Sequence, residues 1–183
     1  MSGLQSSRRQ LLTAVGALSA IGIAGCIDDE LGVDDPLIGD PEAHVEVELA
    51  DEGGEPRLDP PIAHVVDGGT VEWIAESGVH DTTSYHPETH RDQRRIPEDS
   101  EPWASEVTTS NPFDRIFDGE GVYNYACTVH EPEGMVGTVL VGLPDPDEQP
   151  ALEPVSMEYP DVVREELEYQ NDRVREVLTE AHE

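Results

Sequence analysis

The chain has 183 residues, room for one domain of ordinary size with extensions. Its 41 acidic and 10 basic residues leave a formal net charge of −31, and every basic residue is an arginine. A surface this acidic repels nucleic acid and anionic membrane, so binding to either by charge is excluded.

Hydrophobic residues make up 36 %, enough for a packed core beneath that surface. Many carboxylates and no lysine is the composition of a protein adapted to high salt. At about 1 M ionic strength the Debye length is only about 3 Å. The charge then keeps the chain soluble and does not steer partners from a distance.

Ser7-Arg8-Arg9-Gln10-Leu11-Leu12 is a twin-arginine pattern that opens an uncharged apolar run over residues 11–24. Such a run is shorter than the ~20 residues a membrane helix needs and suits a signal segment. It closes in Ile23-Ala24-Gly25-Cys26, which resembles a lipobox, where the cysteine is lipidated and becomes the first mature residue. Residues 1–26 are therefore expected to be a twin-arginine signal peptide. The protein is then exported folded and held by a lipid anchor at Cys26 on the extracytoplasmic face of the cell membrane. An uncut N-terminal membrane helix is the plainer alternative, but it leaves the order of arginines, small residues and cysteine unexplained. Residues 27–41 are acidic, with Gly and Pro, and read as a solvated tether.

Residues 42–143 carry the signals of a small all-β domain. Val45, Val47 and Leu49 alternate with Glu46 and Glu48. Ala63-His64-Val65-Val66 runs into Asp67-Gly68-Gly69, read as a turn. Val71, Trp73 and Ala75 alternate with polar or outward positions, as do Phe113, Arg115 and Phe117. Residues 122–127 and 137–141 read as two more strands. Short strands with frequent turns predict a Greek-key β-sandwich or barrel. Residues 81–106, rich in Pro, Asp, Glu and Arg, read as a long irregular excursion. Residues 144–183 give a linker and then an amphipathic helix over 161–182, with Val163, Leu167, Val174, Val177, Leu178 and Ala181 at helical spacing and Pro160 at its first turn. This tail is expected to pack on the domain, with a partner-binding segment as the alternative.

The chemistry concentrates in Tyr125-Ala126-Cys127-Thr128-Val129-His130-Glu131-Pro132-Glu133-Gly134-Met135. A thiolate, an imidazole and a thioether lie within nine residues, between two strands. Thiolate and thioether favour copper(I), and imidazole suits copper(II) as well. A fourth donor must come from elsewhere. His80, after a strand and a Gly-bearing loop, is the candidate, and His86 is the fallback.

Over residues 42–142 this pattern resembles the cupredoxin (type 1 blue copper) family, within it the plastocyanin, pseudoazurin and halocyanin group, of haloarchaeal type. The shared features are the Cys–x2–His–x4–Met loop, the aromatic strand with Tyr123 and Tyr125 before it, and Gly137-Thr138-Val139-Leu140-Val141 after it. The resemblance implies a cupredoxin-like sandwich holding one copper ion. Cys127, His80 and His130 would form its plane, with Met135 as axial ligand. It also implies one-electron traffic with membrane redox proteins as donors and acceptors. His130 would be the electron exit, within an apolar patch to which Val129 and Pro132 contribute, while Glu131 and Glu133 depart from an apolar rim. A further departure is Asp81, where the family commonly has Asn.

Other readings are weaker. Cys127 alone could be a buried structural thiol. Pairing Cys26 with Cys127 in a disulfide would remove both from the roles above. Zinc has little use for Met, and no Cys-x-x-Cys-His offers a haem site. His86 and His90 are read as solvated, and His44, His64 and His182 as lacking evident partners. A copper-delivery protein would not need a closed site of one Cys and two His. A nitrite reductase or multicopper oxidase needs further copper centres and domains.

A negative group beside the ion favours copper(II), so Asp81→Asn is expected to raise the reduction potential. An unchanged or lower potential, measured by voltammetry, would refute this.

Overall fold

The computed structural model describes residues 38–182. The twin-arginine pattern, the apolar run, Cys26 and most of the expected tether lie outside the described residues. In chain order the strands are β1 (Glu42–Glu52), β2 (Glu55–Asp59), β3 (Ile62–Ala75), β4 (Val79–Ser84), β5 (Ala104–Thr108), β6 (Phe113–Phe117), β7 (Gly121–Ala126) and β8 (Val136–Val141). One long helix follows, α1 (Asp161–His182).

The inward positions read from alternation are the buried ones: Val47 and Leu49 of β1, Val71, Trp73 and Ala75 of β3, and Phe117 of β6. The turn expected at Asp67-Gly68-Gly69 is instead a bend inside β3. Gly68 takes a φ of 77°, which glycine adopts without steric cost. Before the bend, residues 62–65 pair parallel with β8. After it, residues 70–75 pair parallel with β1 and residues 69–73 pair antiparallel with β6. The strand therefore passes from one layer to the other, where a turn would have ended it. One layer is β2, β1, the second half of β3, and β6. The other is the first half of β3, then β8, β7, β4 and β5. This is the expected all-β sandwich with Greek-key crossings.

Apolar side chains from both layers fill the space between them. Trp73 stands edge-on to Tyr125, with centroids 5.4 Å apart, and Phe117 meets Tyr123 at 4.9 Å. Such offset and edge contacts suit the ring quadrupole. Cys127 and Met135 belong to this same cluster.

The irregular excursion is shorter than expected. Residues 81–84 lie in β4 and residues 104–106 in β5, leaving only 85–103 between them. Its few large apolar side chains, Tyr85, Ile96 and Trp103, are all buried. Arg95 is buried with them. Its Nε donates to Asn124 Oδ1 at 2.9 Å, and its guanidinium donates to the carbonyls of Ala151 and Glu153. Burial pushes its pKa down to about 10, so it stays charged near neutrality.

Three histidines read as unpartnered have partners. His64 is buried, with Nδ1 2.8 Å from Gly39 O and Nε2 3.1 Å from Gly142 O. His182 Nε2 lies 3.2 Å from Leu143 O, and His44 Nε2 lies 3.5 Å from Glu72 Oε2. Sequence could not supply these contacts, because most join residues far apart in the chain.

The tail helix packs on the domain. Val163, Leu167, Val174 and Leu178 are buried, while Ala181, expected on the same face, is exposed beyond the edge of the sheet contact. Pro160 precedes the first turn, and its carbonyl accepts from Arg164 N–H. A buried polar ladder fixes the helix register. Asn124 Nδ2 donates to Thr138 Oγ1 (2.9 Å), Thr138 Oγ1 to Gln170 Oε1 (2.8 Å), and Gln170 Nε2 to Val136 O (3.0 Å). Leaving any of these unmatched costs about 1–3 kcal/mol, so one docking position is favoured.

Leu167→Ala is expected to destabilise the fold by about 2–5 kcal/mol, read by urea unfolding at constant salt. A loss below about 1 kcal/mol, within the range of ordinary surface substitutions, would mean that the helix is not docked in solution.

Candidate metal centre

Cys127 follows the last residue of β7, a fully buried strand, so its side chain inherits an inward direction. The chain then winds tightly. His130 N–H donates to Cys127 O (3.0 Å), a single 3₁₀ turn spans Glu131–Glu133, and Met135 N–H donates to His130 O (3.2 Å). Cys127 N–H donates in turn to Met135 O (3.0 Å). Gly134 ends the turn at φ 91°, and a Cβ there would approach Val162 Cγ2 of α1 to 2.9 Å. Glycine thus allows both the left-handed turn and the close helix. The loop closes on itself, and Met135 is buried in the same cluster as Cys127.

His80 arrives from the other direction, as the second residue of β4. Its Nε2 lies 2.9 Å from Ser77 O, so Nε2 carries the proton and Nδ1 the lone pair. That Nδ1 lies 3.6 Å from Cys127 Sγ, and His130 Nδ1 lies 3.5 Å from the same sulfur. The two rings are 4.8 Å apart. One donor atom from each of His80, Cys127 and His130 lies within 4.8 Å of the others. The fallback His86 is not in this group; it is buried elsewhere, its Nδ1 accepting from Glu88 N–H.

Burial decides the electrostatics. It raises the Cys127 pKa above the usual thiol value, only partly countered by backbone hydrogen bonding. Burial also lowers the pKa of His80, ahead of the opposing hydrogen bond to Ser77. Without a cation the site holds a neutral thiol and a neutral imidazole. A metal ion held there would supply the missing positive charge and favour the thiolate form of Cys127. Two imidazole nitrogens and a thiolate, with a thioether nearby, fit one copper ion in either oxidation state.

Two carboxylates lie beside the donors. Asp81 accepts from Thr128 N–H at 3.0 and 3.1 Å on its two oxygens, from the Thr128 hydroxyl, and from Thr83 Oγ1 at 2.9 Å. It therefore joins the strand of His80 to the residue after Cys127. Asp51 Oδ2 lies 3.6 Å from His130 Nε2.

Glu131 is buried at 4 % exposure, not a rim residue as its charge suggested. Tyr85 OH donates to its Oε1 (2.8 Å), Arg91 Nε donates to Oε1 (3.0 Å), and Arg91 Nη2 pairs with Oε2. His90 Nε2 lies 3.1 Å from Oε2, at ion-pair distance. Burial opposes the carboxylate, but these donors together bring its pKa down to about 2. His90, expected to be solvated, is thus spoken for. The excursion clamps the residue next to His130. Nothing local in the sequence signals this clamp, because Arg91 and Glu131 are forty positions apart.

Two apolar side chains adjoining donors in the chain reach solvent: Val129, before His130 (53 % exposed), and Val79, before His80 (55 % exposed).

The sandwich and its His–Cys–His cluster define the class: the chain has the cupredoxin fold. A halocyanin from Natronomonas pharaonis is 31 % identical over 120 residues, covering 64 % of this chain and 62 % of its own. The chain spans less than two thirds of that relative's length. Two solved pseudoazurins share the fold. The protein from Hyphomicrobium denitrificans has a TM-score of 0.55 at 21 % identity, covering 73 % of this chain and 97 % of its own. The one from Methylobacterium extorquens AM1 has a TM-score of 0.52 at 20 % identity, covering 75 % and 98 %. No family model matches the sequence.

Arg91→Met removes charge-assisted donors from a buried carboxylate and is expected to cost about 1.5–3 kcal/mol of stability. Urea unfolding of the metal-free protein measures it. A neutral result would show that Tyr85 and His90 satisfy Glu131 alone.

Proposed function

We propose that this protein is an electron carrier, not an enzyme, in which His80, Cys127, His130 and Met135 would hold a single copper ion. The observation that carries this reading is the convergence of the ring nitrogens of buried His80 and half-buried His130 on the buried sulfur of Cys127. When bound there, copper supplies one-electron exchange between Cu(I) and Cu(II). The chain's own residues do the rest. Ser77 O and Asp81 fix the His80 side, and the Glu131 clamp fixes the His130 loop. Burial excludes water from the sulfur. A donor set held this firmly changes little between oxidation states, which favours rapid electron exchange.

The half-buried edge of His130, next in the chain to exposed Val129, is the natural exit toward a redox partner. The domain from residue 42 to 143 would sit at the end of the acidic tether 27–41. Twin-arginine export and lipidation of Cys26 would hold it on the outer face of the cell membrane, beside membrane redox proteins that donate and accept electrons. Among the described residues no helix is long and apolar enough to cross a membrane, so attachment rests on the N-terminal segment. A copper-delivery role is the second reading. It is disfavoured by the full burial of Cys127 and His80, which leaves an incoming chelator little access.

Copper(II) added to the protein in concentrated salt is expected to give an intense blue thiolate-to-copper band and narrow hyperfine splitting in electron paramagnetic resonance. Both are expected to vanish in Cys127→Ser. A pale spectrum with ordinary splitting would remove the type 1 assignment and bring copper storage forward.

A further inference from the structure

The outward edge of His130 does not face water alone. Asp51, near the end of β1, brings Oδ2 to 3.6 Å from His130 Nε2, a charge contact longer than a hydrogen bond. Its other oxygen, Oδ1, is buried and has no hydrogen-bond partner. A carboxylate oxygen stripped of water without a donor costs free energy. Its neighbours Leu49 and Ala50 are core residues, and neither offers a side-chain donor. A cation held by the donor cluster is the charge that would offset that cost.

We infer that Asp51 is a positioning residue for the metal: it partners the Nε2–H edge of His130 and adds a negative charge beside the ion. The inference rests on the copper site proposed above. With Nε2–H directed at a carboxylate, Nδ1 stays turned to Cys127, 3.5 Å away. Carboxylates behind metal-bound imidazoles orient the ring and strengthen it as a donor, and losing one typically costs about 10–100-fold in metal affinity. The added charge also stabilises Cu(II) more than Cu(I). Asp51 thus lowers the reduction potential and makes the electron exit itself acidic.

The test compares Asp51→Asn with Glu48→Gln, an exposed acid on the same strand, in the full chain loaded with copper in mild detergent and molar KCl. Salt at that strength screens an exposed charge and screens a partly buried pair much less. Asp51→Asn is expected to shift the Cu(II)/Cu(I) affinity ratio toward Cu(I) by about tenfold, which is about 59 mV for one electron. It is also expected to lose Cu(II) faster to a chelator, while Glu48→Gln changes neither. An unchanged potential in Asp51→Asn, or an equal change in both variants, overturns the inference while the blue band of the wild type keeps the copper site. A wild type without a blue band overturns the site and the inference together. Should Asp51→Asn fail to fold, the wild type loaded with Cu(I) decides the matter by nuclear magnetic resonance. An Nε2–H of His130 that exchanges slowly with water supports the pairing, and exchange as fast as in free imidazole overturns it.

Discussion

The desolvated sulfur of Cys127 is the point around which the rest of this structure is arranged. Burial raises its pKa, so a lone proton is the stable partner until a cation arrives. Two imidazoles meet that sulfur through their Nδ1 atoms. The His80 ring is held by Ser77 O, and the backbone of His130 by hydrogen bonds of its own loop. A site built this way is defined before the metal enters. It stays closed because moving any donor would expose a thiol, break backbone hydrogen bonds, or both.

Rigidity of the loop comes from outside it. Glu131 would be costly to bury alone, yet four side-chain groups from Tyr85, His90 and Arg91 meet its two oxygens. On the other side Gly134 lets α1 approach through Val162. The bend in β3 has a related effect at larger scale. One strand serves both layers, so the layer that carries Cys127 and the layer that carries Asp51 are joined covalently as well as by packing. In brine, where charges act over only a few ångströms, contacts of this kind carry the electrostatics, and the net charge of −31 does not.

Several features were legible in the sequence because they depend on near neighbours. The alternation of Val45, Val47 and Leu49, the aromatic strand before Cys127 and the helical spacing of Val163, Leu167, Val174 and Leu178 all fold as their periodicity implies. The spacing of Cys127, His130 and Met135 belongs to one short loop, so it survives as a readable pattern. The bend at Gly68 did not, since Asp-Gly-Gly marks a turn and a strand bend alike. Nor did the burial of Arg95, a residue type that composition assigns to the surface.

By itself, then, the sequence determined the class of fold, the tail helix, and the candidacy of His80 and of the loop residues Cys127, His130 and Met135. Each follows from backbone periodicity or from residues within a few positions of one another. Tertiary structure alone decided what the acids touch. Of 41 carboxylates the resemblance marked Asp81 by its place after His80, but its bond to Thr128, and the roles of Asp51 and Glu131, appear only when the fold brings them to Thr128, His130 and Arg91. The reason is physical. A carboxylate acquires its role from the water it loses and the donors it meets, and both are properties of the packed molecule.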